Sequence, residues 1–405
     1  MQHIIDRGDN AISDQAMQVL IQDPFLEALY YHDSNGNLLL HQACLSCKSP
    51  RLVGLIIEGM LIDVGWWCVV GTNNDGLSPF RLVLLNQSSF ISAHHKNAVF
   101  VQLLQVIPAQ NLPAKECIVR NEILHVCIRS GNPYLAFKIL DAYPDLVYLW
   151  SSEGTLPIHD FCQYGTSESM ETFLHLFRDK IQMQATVPTM LWTRFVPVQI
   201  ACRNPNTTIF SILALLNLHN GVSYDQVVDQ YGLLHLAAAA SNITIARYLL
   251  AMVPTSLEYR KFEYFGSWGT SGPIPLFFAC VSGSSEMIEF LFKAGKSCHI
   301  NHSNKHGGLI DSESGNDLHP ILAACSNPYV TYDTMKMLLV ESKITSPWIC
   351  EWRLLHCAAF EGNMQVATAL LEHCPEALYS VDDDGSLPLH DACAGGDPVM
   401  IEHLF

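Results

Sequence analysis

Histidine and cysteine recur three residues apart along the chain, a spacing that zinc sites and cysteine-based catalysts also use. The pairs are His41 with Cys44, His159 with Cys162 and His390 with Cys393. A structural zinc ion needs four ligands, each about 2.0 to 2.3 Å from the metal, whereas packed helices lie about 8 to 10 Å apart. Equivalent pairs on successive helices therefore cannot share one ion, and we interpret the spacing as a structural feature.

A second candidate metal site is the segment CHINHSNKH at residues 298–306. It contains Cys298, His299, His302 and His306. Imidazole and thiolate are ligands that zinc prefers, so convergence of these four side chains would make the protein a metal-dependent enzyme or sensor. The polar, glycine-containing residues that follow are typical of a solvated loop. We favour the loop and predict no bound metal.

Other catalytic and cofactor motifs are incomplete in this sequence. The stretch KAGKS at 293–297 looks like the end of a phosphate-binding loop, but that pattern requires glycine at position 290, where the residue is Phe290. The sequence also lacks a nucleophile elbow, a kinase signature and a dinucleotide fingerprint. We therefore predict no catalytic residue, no cofactor and no enzymatic activity.

The histidines belong to a repeated segment. Ten copies align on one position, which we name the anchor, at successive steps of 34 to 45 residues. The anchors are His41, Arg81, His125, His159, Gln199, His235, Phe277, Leu322, His356 and His390. A catalytic or metal-binding histidine would not be replaced by Phe277 or Leu322 while the surrounding pattern persists. We therefore interpret the six anchor histidines as structural residues of the repeat.

Each repeat is predicted to contain two helices. Apolar residues follow the anchor at i, i+3, i+4 and i+7, which is the spacing of a buried helix face. An example is the set Ala367, Leu370, Leu371 and Cys374. Glycine or Asn-Pro separates this stripe from the shorter helix that carries the anchor. Two and three residues after the anchor, alanine and cysteine dominate, which indicates close helix packing with cysteine as a small buried residue.

The segments GSLPLHDAC (385–393) and GTLPIHDFC (154–162) resemble the T-P-L-H-x-A signature of ankyrin repeats, and LLHCAAFEGNMQVATALLEHC (354–374) is similar to the rest of that repeat. The resemblance implies an all-α ankyrin-type solenoid of about ten helix-turn-helix units with short β-hairpin connections. It also implies a non-catalytic scaffold or adaptor that binds other proteins. The threonine of the signature is Leu387 or Leu156 here, so helix capping must use other groups.

The repeats define five sequence regions. Residues 1–32 form a half repeat or cap, 33–120 hold divergent repeats 1 and 2, 121–230 repeats 3 to 5, 231–350 repeats 6 to 8, and 351–405 repeats 9 and 10, the last one incomplete. Loops are inserted at 255–272 and 296–317. Proline-free repeats that end in AYP, MVP or HCP return every third repeat, at His125, His235 and His356. This longer period indicates that a three-repeat block was duplicated.

The chain of 405 residues is acidic, with a formal net charge of −17. Such a surface repels phosphate backbones, so we predict no nucleic-acid ligand and favour a basic protein partner. The 14 cysteines are spread thinly and the N-terminus lacks a secretory signal, which favours reduced thiols in the cytoplasm or nucleus. Glu58 and Asp63 interrupt the most apolar stretch, 51–71, so a buried helix is favoured there over a membrane span.

Two surface features are candidates for partner binding. The insertion EYRKFEYFGSWG contains Tyr259, Arg260, Phe262, Tyr264, Phe265 and Trp268. Aromatic residues with arginine are typical of recognition surfaces, although the same residues could cover an exposed flank of the repeats. Asp382, Asp383 and Asp384 lie at a hairpin tip that is either solvated or turned towards a partner. The alternative to an interaction module is a metal-binding or membrane-associated regulatory protein whose C-terminal part is missing.

Overall fold

Helices make up the regular secondary structure of this protein, as the repeat pattern predicts. The structure, a computed structural model, describes residues 29–46, 50–61, 67–85, 93–105, 118–119, 122–181, 184, 186–189, 195–219, 221–258, 274–297 and 320–405. Within these ranges no residue is assigned to a strand, and the all-α fold class is confirmed. The chain divides into two units, Met1–Phe195 and Val196–Phe405. The finer division into five repeat regions stays a prediction.

In the first unit, helices that carry an anchor alternate with longer helices. The helices are α1 (Leu39–Ser46), α2 (Pro50–Leu61), α3 (Trp67–Val70), α4 (Pro79–Leu85), α5 (Ala93–Gln105), α6 (Ile123–Arg129), α7 (Pro133–Ala142), a 3-10 turn (Pro144–Tyr148), α8 (Pro157–Tyr164), α9 (Ser167–Leu176) and α10 (Arg178–Ile181). Anchor helices pack on anchor helices, as α6 does on α8, and longer helices pack on longer helices, as α2 does on α5.

The second unit continues the same alternation. Its helices are α11 (Pro197–Arg203), α12 (Ile209–Asn217), α13 (Tyr224–Gln230), α14 (Leu233–Ala239), α15 (Ile243–Met252), a 3-10 turn (Pro254–Leu257), α16 (Pro275–Ser282), α17 (Ser285–Ser297), α18 (Pro320–Ser326), α19 (Tyr332–Glu341), α20 (Ser346–Glu351), α21 (Leu354–Phe360), α22 (Met364–His373), a 3-10 turn (Pro375–Tyr379), α23 (Pro388–Gly395) and α24 (Pro398–Leu404). The anchor helices α11, α14, α16, α18, α21 and α23 pack on one another in that order.

The longer helices begin at polar caps. An asparagine or threonine side chain accepts a hydrogen bond from the backbone N–H three residues further on, which satisfies one of the unpaired donors of the first turn. The caps are Asn132, Asn242 and Asn363 after the proline-free anchors, and Thr166, Thr208 and Thr331 elsewhere. Each such cap stabilises its helix by about 1 kcal/mol.

The anchor helices begin in two different ways. In one class a proline occupies the first helical position after an extended residue, as Pro157 does after Leu156. In the other class a left-handed residue precedes the helix. These residues are Glu122 (φ 53°), Gly232 (φ 60°) and Arg353 (φ 54°). The short helices α13 and α20 lead into two of them, so a helix stands there where the resemblance implied a hairpin.

The connections before four of the anchor helices are tight turns. In each turn, which we name a tip, a backbone hydrogen bond joins the first and fifth residues, and a glycine with positive φ occupies the fourth position. The tips are Asp33–Asn37, Asn73–Leu77, Ser151–Thr155 and Asp382–Ser386. The side chain of the first residue accepts from the backbone N–H of the fifth residue, as Asp382 Oδ1 does from Ser386 at 2.7 Å. The tip is therefore a side-chain-stabilised turn rather than a β ladder.

Asparagine amides connect successive loops of the second unit. The Asn242 side chain donates to the Asn204 carbonyl at 3.2 Å, and the Asn363 side chain donates to the Asn327 carbonyl at 2.8 Å. The fully buried Asn327 amide donates in turn to the Gly283 carbonyl at 2.8 Å. These bonds satisfy backbone carbonyls that the helix ends leave unpaired.

The small residues after the anchors line the core, with one exception. The alanines two positions after the anchor and most of the cysteines three positions after it are almost fully buried. Cys393 is exposed, so our interpretation of this residue as a small buried one is wrong. No described helix covers its side of α23.

The apolar stretch at 51–71 is interrupted. Its first part forms α2, whose Val53, Ile56, Ile57 and Met60 are buried in the first unit. Its end forms α3, and residues 62–66 lie outside the described ranges. Across the described residues, every helix is too short or too polar to cross a bilayer.

Candidate interaction surface

The anchor histidines His41 and His159 each tie two structural elements together. The Leu156 backbone N–H donates to His159 Nδ1 at 3.0 Å, and His159 Nε2 donates to the Val187 carbonyl at 2.9 Å. His41 makes the same two contacts, at 3.2 Å each, with Leu38 and Gly71. Burial is the largest influence on the pKa of His41 and of His159, and it lowers both below the usual 6.5. These rings are neutral structural links with both nitrogens in use.

The anchor Gln199 shows what the position requires. Its Oε1 accepts from the Val196 backbone N–H at 3.0 Å, and its Nε2 donates to the Tyr231 carbonyl at 2.9 Å. An amide thus replaces the imidazole with one acceptor and one donor in corresponding places. Capping of these helices uses the anchor side chain itself. The missing signature threonine therefore leaves no unpaired donor at Leu156.

His125 has a different role, although its spacing is the same. Its Nδ1 lies 2.8 Å from Asp160 Oδ2, and its Nε2 lies 3.1 Å from the Leu149 carbonyl. Arg129 Nε donates to the same carboxylate oxygen at 3.1 Å. His125 and Asp160 are both fully buried. A buried carboxylate needs a positive partner and hydrogen bonds, and the two side chains of α6 supply them.

Arg129 extends this network to the tip at Ser151–Thr155. Its terminal nitrogens donate to Thr155 Oγ1 at 2.9 Å and to Ser151 Oγ at 3.2 Å, and one of them pairs with Glu153 at 2.9 Å. We name His125, Arg129 and Asp160 the Asp160 cluster. Histidine, aspartate and a serine hydroxyl occur together here, but the Ser151 hydroxyl contacts Arg129 and Thr155 and not the imidazole. The arrangement lacks the nucleophile-to-base contact of a catalytic triad.

The corresponding positions of the other two blocks hold different partners. His235 meets the edge of the Phe278 ring, with centroids 5.3 Å apart. His356 Nε2 lies 3.2 Å from the Ser386 carbonyl, while its buried Nδ1 has no hydrogen-bond partner within the described residues. Phe360, which is 52% exposed, stands in the place of Arg129. The Asp160 cluster is therefore a property of one repeat and not of the repeat family.

The three tip acids Asp382, Asp383 and Asp384 are not equivalent. Asp382 Oδ1 accepts from the backbone N–H groups of Asp384 and Ser386, and the bond from Ser386 is the main reason that its pKa is lowered. Asp383 forms an exposed ion pair with Arg353, the left-handed residue before α21. For the exposed carboxylate of Asp384, the described residues offer no hydrogen bond or close ion pair. Asp382 shapes the turn, whereas Asp383 and Asp384 face solvent.

Acidic residues concentrate at the end of the second unit. Residues 341–405 contain eleven acids, and only Lys343 and Arg353 oppose them. The exposed acids are Glu341, Glu351, Glu361, Glu372, Glu376, Asp383, Asp384 and Glu402, and the other three, Asp382, Asp391 and Asp397, are half-buried. This region therefore carries about half of the net charge of the chain, and eight of its eleven acids face solvent.

A groove of about 640 Å³ lies beside α12, α15 and α17 in the second unit. Its lining residues are Pro205, Ile209, Ala240, Ser241, Asn242, Ile243, Thr244, Arg247, Tyr248, Ala251 and Glu286. The Arg247 guanidinium lies 5.5 Å from the centroid of the Phe290 ring. Phe210, which follows Ile209 in the sequence, is 74% exposed. Aliphatic side chains with arginine and tyrosine are the composition of protein-binding surfaces.

Several residues singled out from the sequence lie outside the described ranges. They are the binding candidates Tyr259, Arg260, Phe262, Tyr264, Phe265 and Trp268, and the metal candidates Cys298, His299, His302 and His306. Where side chains are described, no group of three histidines, cysteines or acids is placed to hold a metal ion. Sequence reasoning missed Arg129, Asp160 and Arg353. A usable signal was the aspartate directly after His159 and His390, where most repeats have an apolar residue or an amide.

Comparison with known proteins finds similarity in structure alone. No family model and no curated protein matches the sequence. A crystal structure of the human ASB11 ankyrin repeat domain matches over 62% of this chain and 96% of its own, with 20% identity and a TM-score of 0.39. The domain of Bcl-3, a member of the IkappaB family, matches over 69% of this chain and 96% of its own, with 14% identity and a TM-score of 0.33.

Both of these structures are ankyrin repeat domains. The repeat of this chain consists of an anchor helix, a short turn, a longer helix, and a tip or short helix that leads to the next pair. The helix pairs and the anchor hydrogen bonds are features of this chain itself. The all-α helical repeat that the sequence predicts is confirmed.

Proposed function

We propose that the protein is a non-catalytic interaction module, a scaffold or adaptor, that holds a partner through a basic segment of that partner. The observation that carries the proposal is the solvent-facing acidity of residues 341–405. Acidic side chains that are concentrated in one region attract a positively charged partner and orient its approach. A repeat protein presents such a surface over several adjacent units.

The buried state of the reactive side chains supports a non-catalytic role. His41, His125 and His159 use both ring nitrogens within the fold. Burial raises the pKa of the Cys127 and Cys202 thiols, so they stay protonated and weakly nucleophilic. The free thiols of the described residues suit a reducing compartment, the cytoplasm or nucleus, which is part of the same proposal.

The proposed contact residues differ in their tasks. Asp383 and Asp384 meet lysine or arginine of the partner, and Asp382 keeps the tip in shape. The aromatic residues and arginine of 259–268 belong to the same proposal as apolar anchors. Aromatic side chains supply most of the binding free energy in many interfaces, while exposed charges set the association rate and its salt dependence.

A peptide selection tests the proposal. Purified protein selects binders from a random peptide library, and the selected peptides are titrated against three proteins: the wild type, Asp383→Lys with Asp384→Lys, and Glu168→Lys with Asp179→Lys. The last variant makes the same charge change at exposed sites of the first unit. We expect peptides rich in lysine and arginine, with binding weakened about tenfold by the tip variant and less than about twofold by the control.

The same titrations are repeated at higher salt, where binding should weaken. Peptides without basic residues would contradict the proposal. Equal losses in the tip variant and the control would show attraction to net charge alone and would also contradict it.

A further inference from the structure

Two thiols of the second unit are in contact. Cys350 lies on α20 and Cys374 directly follows α22, and their sulfur atoms are 4.0 Å apart. Both are free cysteines. A disulfide has a sulfur–sulfur distance of about 2.05 Å, so the two sulfurs must approach by about 2 Å.

The repeat does not require thiols at these positions. Cys350 stands six residues before its anchor, where the earlier blocks have Val119 and Asp229. Cys374 stands eighteen residues after the anchor, where they have Tyr143 and Val253. The earlier blocks thus have an aliphatic or acidic side chain at the first position and an aromatic or aliphatic one at the second, so the fold does not depend on cysteine at either. The pair of thiols is particular to the block at His356.

The surroundings hold the pair together and expose one member of it. His373 Nε2 lies 2.9 Å from the Ile344 carbonyl, and Cys374 Sγ lies 3.7 Å from the Ser346 carbonyl, so the start of α20 rests on the end of α22. Cys374 is fully buried, whereas Cys350 is half-buried. A small oxidant therefore reaches Cys350 first. Cys374 then acts as the resolving thiol.

We propose that Cys350 and Cys374 form a reversible disulfide by exchange with a low-molecular-weight disulfide such as oxidised glutathione. The Cys350 thiolate attacks one sulfur of the reagent, a mixed disulfide forms on Cys350, and one glutathione thiolate leaves. The Cys374 thiolate then attacks Cys350 Sγ, the protein disulfide forms, and the second glutathione thiolate leaves. The two protein thiols lose two electrons, one reagent molecule gains them, and the two thiol protons end on glutathione.

The bond would act on the segment that leads to the acidic tip. The α20 helix is followed at once by Trp352 and by Arg353, which pairs with Asp383. A cross-link from Cys350 to Cys374 fixes this segment to the end of α22. Burial and the neighbouring Cys374 and Glu376 raise the pKa of the Cys350 thiol, so exchange is slow at neutral pH and faster above it.

Peptide mapping of the full chain tests the inference. The protein is equilibrated at several ratios of oxidised to reduced glutathione, free thiols are alkylated, and digestion without reductant is followed by mass spectrometry. We expect a linked pair of peptides that contain Cys350 and Cys374, lighter by two hydrogens than the separate peptides. Dithiothreitol should remove the link. Oxidation should raise the unfolding temperature by about 2 to 5 °C.

Two variants keep the test decisive. Cys350→Ala changes the half-buried partner and should abolish both the link and the temperature shift while the far-UV circular dichroism is preserved. Cys393→Ala removes the exposed thiol of α23 and should leave both unchanged. Glutathione retained on Cys350 without a link, or a link that involves Cys393 or a second chain, would overturn the inference.

Discussion

In the repeat at His125 the buried Asp160 is shared by His125 and Arg129, whereas in the repeat at His356 the same positions hold a half-buried Asp391 and an exposed Phe360. The backbone is alike in both, with a left-handed residue, a seven-residue anchor helix and an asparagine cap. Repeat spacing thus preserves the helix pair, but it does not preserve the side chains that hold one pair to the next.

The difference separates two uses of an acidic residue. In the first unit Asp160 is enclosed with Arg129 and His125 and contributes to folding. At the end of the second unit most of the acids face solvent, and Arg353 pairs with the exposed Asp383. A buried charge must have its partner, whereas an exposed charge gains little from one. Acids of the second kind are therefore available to a binding partner.

The largest contrast is expected from removing the two aspartates. Asp160→Ala leaves His125 and Arg129 without their carboxylate and should lower the free energy of unfolding by about 3 to 5 kcal/mol. Asp391→Ala should change it by less than about 0.5 kcal/mol, as for most surface substitutions. Urea unfolding of the full chain, followed by circular dichroism, measures both. Equal losses would remove the distinction between the two regions.

The anchor histidines should show the same contrast on a smaller scale. His159→Ala removes the bond to the Val187 carbonyl and the acceptor for the Leu156 N–H inside the core, at a cost of about 2 to 4 kcal/mol. The exposed His390 only caps its helix at the Leu387 N–H, so His390→Ala should cost about 0.5 to 1 kcal/mol. Thermal unfolding ranks the two variants, and a larger loss at His390 would contradict the account.

Gln199 makes both anchor hydrogen bonds with a side chain that does not titrate. We therefore expect that glutamine in place of His159 makes the stability of the protein less dependent on pH. The folded protein lowers the pKa of His159, so the unfolded chain takes up a proton first as the pH falls. The contribution of His159 is therefore full above about pH 6.5 and is lost as the pH falls below that value. His159→Gln should stay close to the wild type at pH 7.5 and lose less stability at pH 5.5. Parallel pH profiles of unfolding for the two proteins would contradict this role.

The smallest expected effect comes from rebuilding the Asp160 cluster in the other block. Phe360→Arg places a guanidinium one helical turn after His356, as Arg129 stands after His125. A pair with Asp391 at this half-buried site should stabilise the protein by about 0.5 kcal/mol, and Phe360→Lys by less because lysine lacks the fork geometry. A double-mutant cycle with Asp391→Asn measures the coupling. Zero coupling would show that the helices are placed differently in the two blocks.

The helices were predictable because each one follows a local apolar period. The stripes after His125, His235 and His356 are buried almost as the sequence predicts, with Leu250 and Leu371 only half-buried. The α13 and α20 helices were not predicted, because six or seven residues are too few to show a period.

The hydrogen-bond partners and the burial of side chains in the anchor helices were harder to predict from the sequence than the spacing of the anchors. The Asp160 cluster joins residues 31 to 35 positions apart, which no local pattern reveals. The burial of Cys393 was wrongly predicted because exposure depends on which helix packs next. The equivalence of Gln199 with histidine becomes visible only when both of its hydrogen bonds are seen.

The positions of the imidazole protons test most directly the claim that one spacing serves two structural roles. Long-range proton–nitrogen correlation spectra of uniformly labelled protein report which ring nitrogen carries a proton. We predict a bare Nδ1 and a protonated Nε2 on His41 and His159, and a protonated Nδ1 on His125, which faces the Asp160 carboxylate. A protonated Nδ1 on His159, or a bare Nδ1 on His125, would contradict the account.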